Sequence, residues 1–306
     1  MFAHEDILSA FDDLVARNIV LYGPETVVNL VDDDFQLSES TVIETEKFEF
    51  HICPALASKP STVNAATEDG LGQLPKYGPG SDLVDADPLL KVAEVSSTHL
   101  LVLNRFCVFR PQFLILTRDS FKRQTEILDV HDLSAAWTVL QNLEQDCFVM
   151  FNCGNEAGCS RLHKHMQVIP CSGGFTLFPD RDNNKVKVPF THFLRRIQNG
   201  GKLSTVQGAI SLVEVYQELL EAAFSGKKHS NNHAVQYHPH NVVLTKRWLM
   251  VIPRTKAAVH GASANAAGMM GMVWVTSEHE LQCWKEQGLS NVLGELGTRS
   301  RSSDRL

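Results

Sequence analysis

The chain is expected to fold as an α+β protein, and three observations predict it. Helix and strand periodicities are mixed along the 306 residues without the regular strand–helix–strand alternation of a doubly wound sheet. Strands come in close pairs, as in "THLLVLNRFCVFRPQFLILT", which suits antiparallel neighbours. Neither G-x-G-x-x-G nor G-x-x-x-x-G-K-[ST] occurs, so the two common glycine-loop routes to a nucleotide are closed.

The first helix is expected over residues 5–17, where Ile7, Leu8, Phe11, Leu14 and Val15 recur at helical spacing. "KFEFHIC" alternates Phe48, Phe50 and Ile52 with polar residues, as a half-buried strand does. Residues 58–88 are rich in Gly, Pro, Ser, Asp and Asn; so long a loop within a domain is functional or disordered. Strands follow over 100–109 and 112–117, joined at Arg110-Pro111, then helices over 120–128 and 132–145. The second helix has Leu133, Ala136, Trp137, Leu140 and Leu143 on its buried face. "DCFVMFNCG" is a strand entering a glycine-bearing loop, and "RLHKHMQVIP" is the next strand. A helix over 205–224 and a polar loop lead to the strands "NVVLT" and "WLMVI". The uncharged run 257–276 has the length of a membrane span. Its His260, Ser263, Asn265 and glycines instead suggest a loop before the buried strand "MVWV". Ser277 and Glu280 are placed to form a capping box for a last helix that Gly288 stops. Residues 297–306 form a polar tail expected to be disordered.

Composition narrows the function. Apolar content of 43% and charged content of 21% are those of a soluble globular protein. A net charge of -7 argues against general nucleic-acid binding. An anionic ligand must then be met by local groups and backbone dipoles. The seven cysteines include no C-x-x-C pair and are odd in number, as expected of reduced thiols in a cytoplasmic protein. The acidic, amphipathic opening "MFAHEDILSAFDDLVARN" is unlike a secretory leader.

The chemistry concentrates at 152–167. On a strand, positions two apart share a face, so His163, His165 and Gln167 are expected to point together, with Leu162, Met166 and Val168 opposite. Lys164 breaks that pattern and is expected near an edge or snorkelling. Upstream, Asn152, Gly154, Gly158 and Ser160 lie in a loop whose glycines admit a close ligand and whose N–H groups can cradle an anion. A neutral imidazole is a usable nucleophile toward phosphorus once its other nitrogen is held by an acceptor. Glutamine cannot shuttle a proton, but it can donate hydrogen bonds to a phosphoryl oxygen. Taken alone, an H-x-H pair is more often two ordinary polar or core histidines. Zinc would find glutamine a poor third ligand. The Asn/Gly/Ser loop tips the balance to phosphate chemistry. His238 and His240 in "YHPHN" share the spacing but lack such a loop, and are expected to be loop histidines.

"NCGNEAGCSRLHKHMQVIP" resembles the active-site segment of the histidine-triad superfamily, in the branch ending in Gln. Within it, the chain is similar to the ATP adenylyltransferases, or diadenosine tetraphosphate phosphorylases, of the fungal type. "FEFHICPALASKP", "THLLVLNRFCVFRPQFLILT", "NVVLTKRWLMVIPR" and "SANAAGMMGMVWVTSEHELQCWKEQG" extend the resemblance over most of the chain. It implies a histidine-triad fold with two half-related lobes in an internal pseudo-dimer. The expected lobes are 1–188, carrying the phosphate loop and His-x-His-x-Gln site, and 189–296, completing the cleft.

The implied reaction is ping-pong transfer. A histidine takes AMP from diadenosine tetraphosphate, ATP leaves, and inorganic phosphate collects the AMP as ADP. His165 matches the nucleophile, His163 the supporting motif histidine and Gln167 the phosphate-contacting glutamine. Asn152 and the run Gly158, Cys159, Ser160 and Arg161 match the phosphate loop. Lys59, Asn104, Arg105, Asn265, Ala266, Ala267 and Met272 match further nucleotide-contacting positions. Arg105 stands where lysine is usual; Thr276, a further candidate phosphate contact, stands where some members have lysine; and Arg161-Leu162 stands where Gln-Pro is common. A sugar-phosphate nucleotidyltransferase and a non-turning dinucleotide sensor are the alternatives. Magnesium or manganese is expected to accompany the polyphosphate without a dedicated metal site. The expected partners are small nucleotides and phosphate, not nucleic acid or membrane. The expected state is a monomer, in the cytoplasm or nucleus.

Overall fold

The structure, a computed structural model, describes residues 4–23, 26–31, 47–62, 76–84, 87–171, 175–181, 188–197, 205–225 and 238–300. The middle of the 58–88 loop, most of the polar loop before His238 and the last six residues lie outside them. The first segment supplies α1 (His4–Ala16), β1 (Leu21–Tyr22), β2 (Thr26–Val31), β3 (Lys47–Ile52), β4 (Lys91–Glu94), β5 (His99–Leu103), β6 (Phe106–Cys107) and β7 (Phe113–Thr117). Next come α2 (Val130–Asn142), β8 (Cys147–Cys153), β9 (His165–Pro170), β10 (Phe193–Arg196), α3 (Thr205–Phe224), β11 (His240–Leu244) and β12 (Trp248–Pro253). β13 (Ala258–Val259), β14 (Ala262–Ser263), α4 (Ala266–Met269), β15 (Met272–Val275), α5 (Glu278–Gln287) and α6 (Leu289–Leu296) complete it.

Eight strands make one antiparallel sheet in the order β10-β12-β11-β8-β9-β7-β5-β4. The α+β expectation therefore holds. The expected lobe boundary at 188/189 falls within this continuous sheet, because β8 pairs directly with β11. Alternation along the strands builds two cores. Val149 and Phe151 of β8, Met166 and Val168 of β9, and Val242 and Leu244 of β11 face Phe11, Trp137 and Tyr216 of α1, α2 and α3. Phe148, Met150, Ile169, Val243 and Ile252 face the other way, toward the small sheet β15-β3-β2 and the last helices. That second face, where the small sheet stands on the large one, carries the candidate site.

Several expectations need correction. Residues 120–128 are not helical. Their backbone runs beside the approach to β9, with Gln124 N–H on Leu162 C=O (2.9 Å) and Lys164 N–H on Lys122 C=O (3.0 Å). Lys164 neither sits at an edge nor snorkels. It is 2% exposed and its Nζ meets Asp132 (2.6 Å) and the Ile127 carbonyl (2.8 Å). His240 is not in a loop but opens β11, fully buried. Ser277 caps α5, but Glu280 turns to Thr276 N–H (2.8 Å) and Oγ1 (2.7 Å), so the box does not close on Ser277. The expected disordered tail begins too early: Gly297 bridges Arg254 and Arg299 bridges Phe190.

Candidate active site

β8 and β9 run side by side until Met150 opposes Gln167, then part. The amide of Gln124 fills the gap. Its Oε1 accepts His165 N–H (2.8 Å) and its Nε2 donates to the carbonyls of His165 (3.0 Å) and Asn152 (3.1 Å). A side chain thus stands in for the missing ladder rungs and gives these three backbone groups their partners. Beyond the gap, β8 continues into the loop 154–160, where Gly158 adopts φ +85°. A Cβ there would lie 2.7 Å from Ala264 C=O and 2.9 Å from Asn265 Cα, so only glycine lets this loop meet the 264–265 segment.

The hydrogen bonds settle both tautomers. His163 is fully buried. Its Nδ1 accepts Asp82 N–H (3.2 Å). Its Nε2–H therefore donates to Thr117 Oγ1 (2.9 Å), whose own proton goes to the carbonyls of Asp119 (3.0 Å) or Lys164 (3.2 Å). Burial pushes this imidazole down to about 4 and keeps it neutral. Neither nitrogen is left for a substrate. His163 instead works through its backbone, whose carbonyl accepts His165 Nδ1–H (2.9 Å). That bond places the proton of His165 on Nδ1 and leaves a lone pair on Nε2. Burial lowers the pKa of His165 too, so the ring is neutral and nucleophilic.

His165 opens on a cavity of about 290 Å³. Lys59, Asn104, Gly158, Cys159, Ser160, Gln167 and Asn265, all expected from the sequence, line it as well. Asn104 accepts Phe106 N–H at Oδ1 (3.1 Å), leaving its amide nitrogen to donate. Desolvation lowers the Lys59 ammonium and raises the Cys159 thiol to about 11. Leu56, Phe106 and Trp274 supply apolar lining that the sequence did not single out.

Other expected residues are not brought into this lining. Asn152 lies behind the loop, where its Oδ1 accepts Asn241 Nδ2 (2.8 Å) and Ala266 N–H (2.9 Å). Ala266, Ala267 and Met272 are core residues. Thr276 is tied to Glu280. Arg105 is exposed. Arg161 turns to Asp82, with Nε 2.6 Å from Oδ1, and to the Pro60 carbonyl (3.2 Å). Leu162, standing where proline is usual, has an N–H, and it donates to Thr62 Oγ1 (3.0 Å).

Comparison with known proteins agrees with this architecture. Residues 39–196, more than half the chain, match the family model described as the Ap4A phosphorylase N-terminal domain. Residues 186–299 match the ATP adenylyltransferase C-terminal domain. Among curated relatives, diadenosine 5',5'''-P1,P4-tetraphosphate phosphorylase 2 of Saccharomyces cerevisiae is 27% identical over 266 residues, 78% of this chain and 79% of that one. Protein APA1 of the same yeast is 26% identical over 285 residues, 82% and 83% of the two chains. The crystal structure of yeast Ap4A phosphorylase Apa2 has the same fold, with a TM-score of 0.75 at 21% identity over 97% of this chain and 98% of that one. Its complex with Ap4A matches with a TM-score of 0.72 over the same shares. The chain thus belongs to the Ap4A phosphorylase family, and its fold is the histidine-triad-like one that the H-x-H-x-Q segment implied.

Proposed function

We propose that this protein is a nucleotidyltransferase that splits diadenosine tetraphosphate with inorganic phosphate, reversibly, to ATP and ADP. The observation that carries the mechanism is the bond from His165 Nδ1–H to the His163 carbonyl, which leaves Nε2 as a lone pair at the cavity. His165 Nε2 attacks an α-phosphorus. The bond to the bridging oxygen breaks and that oxygen leaves with the electron pair as part of ATP. AMP stays on Nε2, and the ring becomes cationic. A phosphate oxygen then attacks the same phosphorus, the N–P bond breaks, and ADP departs with the imidazole neutral again. A polyphosphate leaving group and a phosphate nucleophile need no proton transfer from position 167. Glutamine there is suited to donating hydrogen bonds as charge builds on the phosphoryl oxygens.

Lys59, Asn104, the N–H groups of the 158–160 loop and Ser160 face the polyphosphate in this scheme. Leu56, Phe106 and Trp274 offer one adenine its apolar surface. A magnesium or manganese ion would accompany the polyphosphate as its counter-ion. The protein acts as a monomer, and in the cytoplasm, where its seven cysteines, none of them in a disulfide, would stay reduced.

The test uses diadenosine tetraphosphate labelled at the α-phosphorus, without inorganic phosphate. Wild type should retain label and release it as ADP when phosphate is added; His165→Ala should retain none. Label equally retained by His165→Ala, or released as AMP without phosphate, would overturn the scheme.

A further inference from the structure

Gln112 is fully buried on the approach to β7; its backbone carbonyl accepts the N–H of Asn104 (2.9 Å), and its side-chain amide reaches the cavity lining at Gln167. Its Oε1 accepts the backbone N–H of Val108 (2.9 Å) and its Nε2 donates to Gln167 Oε1 (3.0 Å). The polarity of this chain cannot be reversed. A backbone N–H is only a donor, so Gln112 must turn its oxygen to Val108 and its nitrogen to Gln167. Gln167 must then answer with its oxygen, which turns its own NH₂ group the other way. Gln167 lines the cavity beside His165. We propose that Gln112 is a positioning residue that sets the direction of the Gln167 amide, so that position 167 presents donors and not an acceptor to the phosphoryl group.

The inference rests on the reaction proposed above. An inverted Gln167 would aim a partial negative charge at an oxygen that gains charge during transfer. Nothing in Gln167 itself prevents the inversion, because its two ends have nearly the same shape. Position 112 decides it. Glutamate there, of nearly the same size, would accept at both ends and pull the Gln167 nitrogen inward. Methionine would leave the amide undirected. Histidine can accept from Val108 at one nitrogen and donate from the other.

The experiment is a double-mutant cycle in which kcat and KM are measured for diadenosine tetraphosphate plus phosphate. Gln112→Met should lower kcat roughly 10- to 100-fold, less than the roughly 100- to 1000-fold cost of deleting a charge-stabilising donor outright, with KM changed little. Gln112→Glu should lose more than Gln112→Met, and Gln112→His should recover part of the loss. In a Gln167→Ala background, Gln112→Met should cause no further loss. Equal losses with and without Gln167, or a Gln112→Glu variant as active as wild type, would overturn the proposal. Side-chain amide NMR tests it in wild type without depending on turnover or on variant folding. The Gln167 NH₂ resonances should exchange with water and move when AMP is added, while those of Gln112 stay protected. A protected, unresponsive Gln167 NH₂ would mean that the amide faces inward. If wild type fails to turn over but the resonances behave as stated, the reaction scheme fails and the orientation stands.

Discussion

His165 and His240 show how one local device is used twice with different consequences. In each pair the ring of the second histidine donates from Nδ1 to the carbonyl two residues earlier: His165 to His163 at 2.9 Å and His240 to His238 at 2.6 Å. The Nε2 of His165 opens on a cavity, whereas the Nε2 of His240, on the helix-covered face of the sheet, is capped by the Tyr216 hydroxyl (2.7 Å). Burial pushes both His163 and His240 down to about 4. An unfolded histidine titrates near 6.5. Below that pH the unfolded chain takes up protons that the native state refuses, so stability is complete above about 6.5 and falls toward pH 4. Each ring contributes at most about 3 kcal/mol to that fall. The urea midpoint should therefore drop between pH 7.5 and pH 5, and His240→Gln should make the drop smaller. An unchanged drop would remove His240 from the account. At this scale the sequence was informative where one strand sufficed: period two placed His165 and Gln167 opposite Met166 and Val168. Gln112 and Gln124 were invisible because their partners lie 55 and 41 residues away.

β9 is held from both faces. His165 and Gln167 serve the cavity, while Lys164, just before the strand, reaches through to α2. There it meets Asp132, which also accepts from His99 Nε2 (3.0 Å) and from Asp129 N–H (2.8 Å) in the capping box of α2. Burial raises the Asp132 carboxyl, but the His99 bond and the Lys164 charge outweigh it and hold the group at about 2. Removing the ammonium would leave a buried carboxylate short of its cation, at a cost of about 3–5 kcal/mol. Lys164→Met should thus lower the urea midpoint strongly, yet leave kcat within about threefold at temperatures where the variant is folded, because the lysine faces away from the chemistry. A large fall in kcat at unchanged stability would show that the lysine acts on the site. The misjudged helix at 120–128 has the same origin. Its apolar residues are compatible with a turn of helix, but Gln124 is worth more as the plug between β8 and β9, and tertiary pairing overrides local propensity. The long helix Thr205–Phe224 was legible because its periodicity is repeated over several turns.

Across the whole molecule, the order of the sheet and the joining of its two ends were not legible, since no local pattern encodes which distant strand will pair. Arg254 is the clearest case. It follows β12, is 2% exposed, and has no carboxylate partner among the described residues. Burial lowers it to about 9, still charged at neutral pH. Its donors are all spent on oxygens: the carbonyls of Leu296 (3.0 Å), Ala157 (3.3 Å), Lys256 (3.1 Å) and Ala264 (2.8 Å), and Asn241 Oδ1 (2.6 Å). Ala157 precedes Gly158 of the phosphate loop, and Ala264 belongs to the segment that Gly158 touches. One planar guanidinium therefore fixes the two sides of the cavity against each other and against the end of α6. It also keeps an uncompensated positive charge behind a site built for a polyanion. Lysine cannot reproduce this, because its three donors diverge from a single point. Arg254→Met strands several buried acceptors and should cost about 3–5 kcal/mol, with Arg254→Lys intermediate. Under conditions where both variants remain folded, AMP should bind at least about tenfold more weakly, which corresponds to 1.4 kcal/mol. Calorimetry of AMP binding beside urea titration separates the two effects. Wild-type affinity in a destabilised Arg254→Met would confine the residue to holding the fold, whereas loss of affinity in both variants, graded as their stability is, would tie the shape of the cavity to this one side chain.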